Sequence, residues 1–267
     1  MIFFKAAILG VVEGITEFLP ISSTGHLIIV NRFINFTGNF ANMFDIVIQV
    51  GAIIAVIIYF SKQLNPFGSR KSPAEKEATW DIWKKTLVGV IPAIIIGGAL
   101  GHKVEELLFN PVTVAIALLI GGIILILIEN RKRSGSKNSI SDISYMTAIT
   151  IGLIQCLALV PGVSRAGATI IGAMLLGSSR KVAAEFSFFL AIPTLIAASA
   201  YALIKDHMSL THTEWGVLAI GFFVSFLVAW AVIALFMNFI RKHDFKLFGY
   251  YRIILGLMIL GYFFIKR

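Results

Sequence analysis

Cys156 is the only thiol in the chain, so an intrachain disulfide is excluded and no cysteine metal cluster can form. That scarcity leaves the redox compartment open. Charge is also thin, 14% of 267 residues, with 14 acidic side chains against 23 Lys and Arg. No Walker sequence and no HExxH occurs, which makes nucleotide hydrolysis and zinc proteolysis poor readings. The opening MIFFKAAILGVVEGITEF runs straight into Glu13 and Glu17 with no small-residue cleavage site, and is not expected to act as a signal peptide.

What fills the chain is apolar. Hydrophobic residues make up 58% of it, gathered into runs near membrane-spanning length, and this predicts an all-α polytopic membrane protein. Phe, at 22, far outnumbers Tyr and Trp, as suits lipid-facing helices. The formal charge of +9 sits in short loops between apolar runs, where it serves as a topology signal and a contact for anionic headgroups. Nucleic acid is not an expected partner.

Residues 2 to 18 and 27 to 36 are each short for a span and are separated by Pro20 and the SSTG segment. Non-helical backbone at membrane depth is tolerated only where protein or a wet cavity surrounds it. Residues 2 to 36 are therefore expected to form a re-entrant helical hairpin with SSTG at its tip. A span over 41 to 60 follows, then a polar loop over 61 to 85, spans at about 86 to 101 and 111 to 129, and a basic loop over 130 to 144 with Arg131, Lys132 and Arg133. The loop at 102 to 110 carries His102, Glu105 and Glu106. In the second half, two short apolar pieces between 145 and 178 flank PGVSRAGA, with spans at 183 to 204, about 214 to 238 and 249 to 265, and a nearly neutral loop from Lys205 to His212.

The halves are related in their letters. A shift of 142 residues aligns ILGVVE with TIGLIQ, and Ser22 and Gly25 with Ser164 and Gly167. One hairpin plus three spans is an odd unit, so the second copy is expected upside down relative to the first. The expectation is one integral-membrane domain over 1–267 with inverted repeats at about 1–135 and 142–267. With basic loops inside, both termini face outside and the two tips meet near the midplane, bringing Ser23 to Arg165.

Two polar interruptions carry the chemistry: EGITEFLPISSTGH (Glu13 to His26) and PGVSRAGAT (Pro161 to Thr169), the second holding the one arginine expected deep in an apolar run. Glu13 and Glu17 share a helix face and need a cation, a wet cavity or a shared proton; holding helices together is the plainer alternative. Ser22, Ser23 and Thr24 either cap the next helix or, with its free N–H groups, receive phosphate oxygens. A serine that attacks phosphorus needs a base, and His26 or a glutamate can supply one. Arg165 wants either phosphate or a salt bridge to Glu13 or Glu17, with Gly162 and Gly167 allowing close backbone approach. Ser164, Thr169 and Gln155 contact ligand or satisfy backbone. Gln49 and Asp45 sit near the start of the span at 41 to 60, while Glu185 and Ser187 are expected to support rather than react. The set describes an anionic phosphate site in which Glu13 and Glu17 can hold Mg²⁺ or Ca²⁺, although a metal is not demanded.

These two segments closely resemble the bacterial undecaprenyl-diphosphate phosphatase family, whose marks are EGxTEFxPxSSxGH and PGxSRSG. The likeness extends over the hydropathy plan of nearly the whole chain, with one departure, Ala166 in place of the usual serine. The resemblance implies hydrolysis of the C55 isoprenyl diphosphate to recycle the lipid carrier for peptidoglycan, at a site open outward in the plasma membrane, with divalent-cation dependence and bacitracin tolerance. By position it implies Ser23 as nucleophile or phosphate binder, His26 as acid/base partner, Glu13 and Glu17 as metal or water positioners, and Arg165 as phosphate clamp. Ser22, Thr24, Gly25, Gln49, Gly162, Ser164, Gly167 and Thr169 are expected on the substrate. A transporter or flippase for a phosphorylated lipid or other anion is the alternative, since broken helices in inverted repeats also suit transport. Expected partners are the prenyl diphosphate and membrane lipids, with a homodimer left open.

Overall fold

A computed structural model describes residues 1–131, 135–206 and 210–265. Helices are the regular elements of the described residues, with no strand among them. The chain runs through α1 (Ile2–Thr16), a break at 17–22, α2 (Ser23–Ile34), α3 (Asn39–Tyr59), the short α4 (Ser61–Leu64), α5 (Pro73–Leu108) and α6 (Pro111–Glu129). A 3-10 turn at Ile140–Asp142 leads into α7 (Tyr145–Gln155) and a second at Cys156–Leu159 leads out of it. A further break precedes α8 (Arg165–Leu175), followed by α9 (Arg180–Asp206), α10 (His212–Phe239) and α11 (Lys246–Ile265).

Among the described residues six helices, α3, α5, α6, α9, α10 and α11, are long and apolar enough to cross a membrane, which makes this a multi-pass membrane protein. α1, α2, α7 and α8, of 15, 12, 11 and 11 residues, fall short of the roughly 20 residues a span needs. They fold because the bundle covers them. Phe18, in the first break, meets Phe188 of α9 edge to face at 5.2 Å, and Ala166 and Ile170 of α8 enter the same core.

Lipid supplies no hydrophobic force between helices, so close backbone approach through small residues does the work. On α1, a Cβ at Gly14 would lie 2.8 Å from the Ser225 carbonyl of α10. Gly152 of α7 packs directly on the Gly89 carbonyl of α5.

Several expected boundaries shift. The polar loop over 61 to 85 shrinks to the stretch around 65 to 72, because α5 begins at Pro73. Its start is a reciprocal cap, with the Ser72 N–H donating to Glu75 Oε2 at 2.7 Å and the Glu75 N–H to Ser72 Oγ at 3.3 Å. Lys85 is consequently not a loop residue. It is 4% exposed, paired with Asp81 at 2.6 Å and donating to the Ser141 carbonyl at 3.0 Å. The expected loop at 102 to 110 is likewise helix as far as Leu108, so His102 and Glu106 extend α5. The first turn is not at SSTG but one step earlier, over 17–22, with Ser23 already in α2. Arg165 is not the only arginine in an apolar interior, since Arg252 of α11 is 1% exposed. Lys132, Arg133 and residues 207 to 209 of the neutral loop lie outside the described residues.

Replacing Gly152 by Val should lower stability by about 1–3 kcal/mol, read as a lower thermal midpoint in detergent. Gly261→Ala, with nothing within 4 Å of its added Cβ, should leave the midpoint unchanged. Equal effects from both changes would contradict the close-packing assignment.

Candidate active site

Both helix breaks are built the same way. Ser22 caps α2 with φ 74°, and its Oγ accepts from the Gly25 N–H at 3.3 Å. Ser164 caps α8 with φ 66°, and its Oγ accepts from the Gly167 N–H at 3.1 Å. A non-glycine residue in the left-handed region costs about 1 kcal/mol or more. Only Asn35 joins these two serines there among the described residues. Strain held at both helix starts fixes where each chain turns.

Glu17 joins the two breaks. It closes α1 at 6% exposure. Its Oε2 accepts from the Ser23 hydroxyl at 2.6 Å, and its Oε1 accepts from Arg165 Nη2 at 3.3 Å and Nε at 3.4 Å. A hydroxyl that close to a carboxylate is a charge-assisted bond with the serine as donor. The far side of the guanidinium is held by the Ser187 carbonyl, which accepts from Nη1 at 3.0 Å, and Phe18 lies under it with its ring centre 5.9 Å from the guanidinium carbon.

A cavity of about 150 Å³ opens on this group. Its wall takes Glu17 and Ser22 from the first break with Ser23 and Thr24 from the start of α2, Gly162 and Ser164 from the second break with Arg165 from the start of α8, and Gln49 from α3. One water needs about 10–15 Å³ by the same measure, so the space suits a hydrated phosphate group rather than a prenyl chain. A larger hollow of about 340 Å³ beside Lys5 and Asn35 is lined by neither carboxylate nor serine.

Glu13, one turn before Glu17, is fully buried; no N–H or hydroxyl donor reaches its carboxyl oxygens, and its hydrogen-bond neighbour is the Glu17 carboxyl, near enough to share a proton. The charges acting on it are Glu17, Asp45 and Arg165. Asp45 accepts from Asn31 Nδ2 at 2.7 Å and leaves its other oxygen unpartnered.

His26 does not meet Ser23. Its Nδ1 lies 2.7 Å from the Ser22 carbonyl and its Nε2 lies 2.6 Å from the Tyr251 hydroxyl. A carbonyl only accepts, so Nδ1 carries the hydrogen and Nε2 of the neutral ring accepts from Tyr251. Of the two bases the sequence allowed for Ser23, the carboxylate of Glu17 is the one in contact.

The remaining candidates stand behind the cavity. Thr169 bonds the Ser187 hydroxyl at 2.6 Å and the Arg165 carbonyl at 2.9 Å. Gln155 donates to Thr194 at 3.2 Å, and Glu185 pairs loosely with Lys181 at 3.8 Å. Gly25 and Gly167 serve as donors to the capping serines. Ala166 points into the apolar core at 0% exposure, so the methyl that replaces the family's usual serine removes nothing from the cavity wall. Tyr251 and Arg252 were missed by sequence reasoning. Their signal was a polar pair, YR, inside the last apolar run.

The fold defines a polytopic helical membrane protein with an interior polar cavity lined by serines, Glu17 and Arg165. The bacitracin resistance protein BacA family model matches residues 6–258, and the chain belongs to that family. It is 52% identical over 264 residues to undecaprenyl-diphosphatase 1 of Clostridioides difficile, covering 98% of this chain and 96% of that protein. It is also 48% identical over 267 residues to the undecaprenyl-diphosphatase of Lactiplantibacillus plantarum, covering 97% of each. The Enterococcus faecalis undecaprenyl-diphosphatase is 47% identical over 262 residues, 96% of this chain and 95% of that one.

Removing Arg165 strands the buried Glu17 carboxylate. Arg165→Ala should cost about 3–5 kcal/mol by thermal unfolding in detergent, and adding Glu17→Gln should recover part of the loss. A double variant less stable than the single would contradict a direct pair.

Proposed function

We propose that the chain is an undecaprenyl-diphosphatase, hydrolysing the C55 isoprenyl diphosphate to the monophosphate and inorganic phosphate and so returning the lipid carrier to cell-wall synthesis. The observation that carries this reading is the Ser23–Glu17–Arg165 chain, a hydroxyl at 2.6 Å from a carboxylate that also holds a guanidinium 148 residues away.

The diphosphate head enters the cavity with the prenyl tail left among helices and lipid. Ser23 Oγ attacks the terminal phosphorus as its proton passes to Glu17. The bond to the bridging oxygen breaks, and the prenyl monophosphate leaves with that electron pair and takes the proton from Glu17. Water then attacks the phosphoserine, the phosphorus–Oγ bond breaks, and one water proton returns to Ser23. Arg165 gives its fork to the transferring phosphoryl oxygens, where most catalysis of this reaction resides. Ser22, Thr24, Gln49, Gly162 and Ser164 contact phosphate from the cavity wall, while Gly25, Gly167 and Thr169 hold the caps and Arg165 in place. His26 is tied to Ser22 and Tyr251, which supports an indirect acid/base part rather than that of base to Ser23.

A divalent cation, Mg²⁺ or Ca²⁺, would be held by Glu13 and Glu17, two adjoining carboxyls with no N–H or hydroxyl donor on Glu13, in place of a proton shared between them. Among the described residues no group of three or more His, Cys, Asp and Glu could hold a metal, so water and phosphate oxygens would complete the shell. When bound, the ion neutralises diphosphate charge.

The same reading extends to topology: one integral-membrane domain over 1–267, inverted repeats at about 1–135 and 142–267, and a re-entrant hairpin in each. The site opens to the outer face of the bacterial plasma membrane, with both termini outside. Its support is a matched packing scheme. α1 and α3 pack on α10 as α7 and α9 pack on α5, α3 meets α9, α6 meets α11, and Ser22 and Ser164 share one cap geometry. Paired broken helices also suit a transporter, yet transport needs only the anion site and leaves the Ser23–Glu17 bond without a task.

Purified protein in detergent with Mg²⁺ or Ca²⁺ should release phosphate from a prenyl diphosphate. Ser23→Ala and Arg165→Ala should each lower kcat by about 10²–10³-fold or more, and chelation of divalent ions should suppress release. Release that is unchanged in both variants would defeat the assignment and favour transport.

A further inference from the structure

Arg252 is the second buried guanidinium, and every donor on it goes to backbone. Nη1 donates to the carbonyls of Pro20 and Val163, both at 3.2 Å. Nη2 donates to Ala117 at 3.1 Å and to Gly162 and Val163 at 3.2 Å, and Nε to Leu118 at 3.4 Å. These carbonyls belong to three separate pieces: the first break, the second break and the middle of α6. One planar fork therefore sets the spacing between the breaks that precede Ser23 and Arg165. Lysine, a single point with a different donor geometry, cannot reproduce it. The fold makes room for the group: a Cβ at Gly121 would overlap Nη2, and one at Gly167 would lie 2.9 Å from Nη1.

Carbonyl oxygens solvate a cation without neutralising it. None of the ion pairs among the described residues includes Arg252, so a full positive charge stands behind both breaks. Removing such a charge from water is costly, and an anion brought into its field would offset part of that cost. Gly162, whose carbonyl Arg252 binds, lines the phosphate cavity. The Val163 carbonyl faces Arg252, and because a trans peptide holds its N–H opposite its carbonyl, the Ser164 N–H is turned the other way.

Resting on the phosphatase reading, we propose that Arg252 is a positioning residue of this site. Its fork holds the two breaks in register, and the diphosphate of the bound lipid is the counter-anion that its charge awaits.

The test uses the full-length protein in detergent, measuring phosphate release from a prenyl diphosphate and inhibition by inorganic pyrophosphate. Arg252→Lys keeps the charge and loses the fork, so kcat should fall about 10²-fold while the pyrophosphate inhibition constant stays within about threefold. Arg252→Gln loses both, so kcat should fall as far and the inhibition constant should rise about tenfold or more. Gly121→Ala displaces an intact arginine and should resemble Arg252→Lys. A folded Arg252→Gln protein with kcat and inhibition constant within twofold of the unaltered chain would overturn the proposal. Aggregation of all three variants would also overturn it, by assigning Arg252 to folding alone. Failure of the unaltered protein to release phosphate would instead defeat the phosphatase reading, and pyrophosphate binding by calorimetry would still test the charge of Arg252.

Discussion

A carboxyl group at 6% exposure in an apolar layer is costly unless donors surround it, and Glu17 finds them on both sides of the molecule. Ser23 comes from the helix that follows the first break, Arg165 from the helix that follows the second. Each satisfies a different carboxylate oxygen, so neither replaces the other. The cavity exists where these donors converge, and the groups on its wall face one another because this carboxylate requires both partners.

Holding two interrupted helices at one place demands more than a single ion pair. Ser22 and Ser164 accept left-handed backbone, an unfavourable state for serine, and in return each caps the helix it opens. Aromatic packing of Phe18 on Phe188 braces the first break against α9. The result is a polar pocket inside a bundle whose outer faces expose Phe, Leu and Ile. Its polar lining suits the proposed head-group chemistry.

Much of this was legible in the letters, because membrane burial makes polar residues conspicuous. Glu13, Glu17, Ser23 and Arg165 stood out against apolar runs, and the six spans follow from hydropathy. Three things were not read. The start of α5 at Pro73 was hidden by Lys84 and Lys85, which look like loop, although Ser72-Pro73-Ala74-Glu75 spelled out a capped start. His26 sits at the spacing for a neighbour of Ser23, but spacing cannot foresee that Tyr251, 225 residues on, takes its free nitrogen. Arg252 was passed over because its partners are carbonyl oxygens, and backbone acceptors leave no trace in sequence.

The claim on which the rest depends is that segments 148 residues apart form one chamber. Thr24, in the first turn of α2, and Ser164, the cap of α8, line it from opposite sides, and Cys156 is the only native thiol. A chain carrying Thr24→Cys, Ser164→Cys and Cys156→Ser should be bridged within one molecule by a short bifunctional thiol reagent, and pyrophosphate should slow the bridging. Labelling of each cysteine singly by a monofunctional reagent, with no bridge formed between them, would contradict the account.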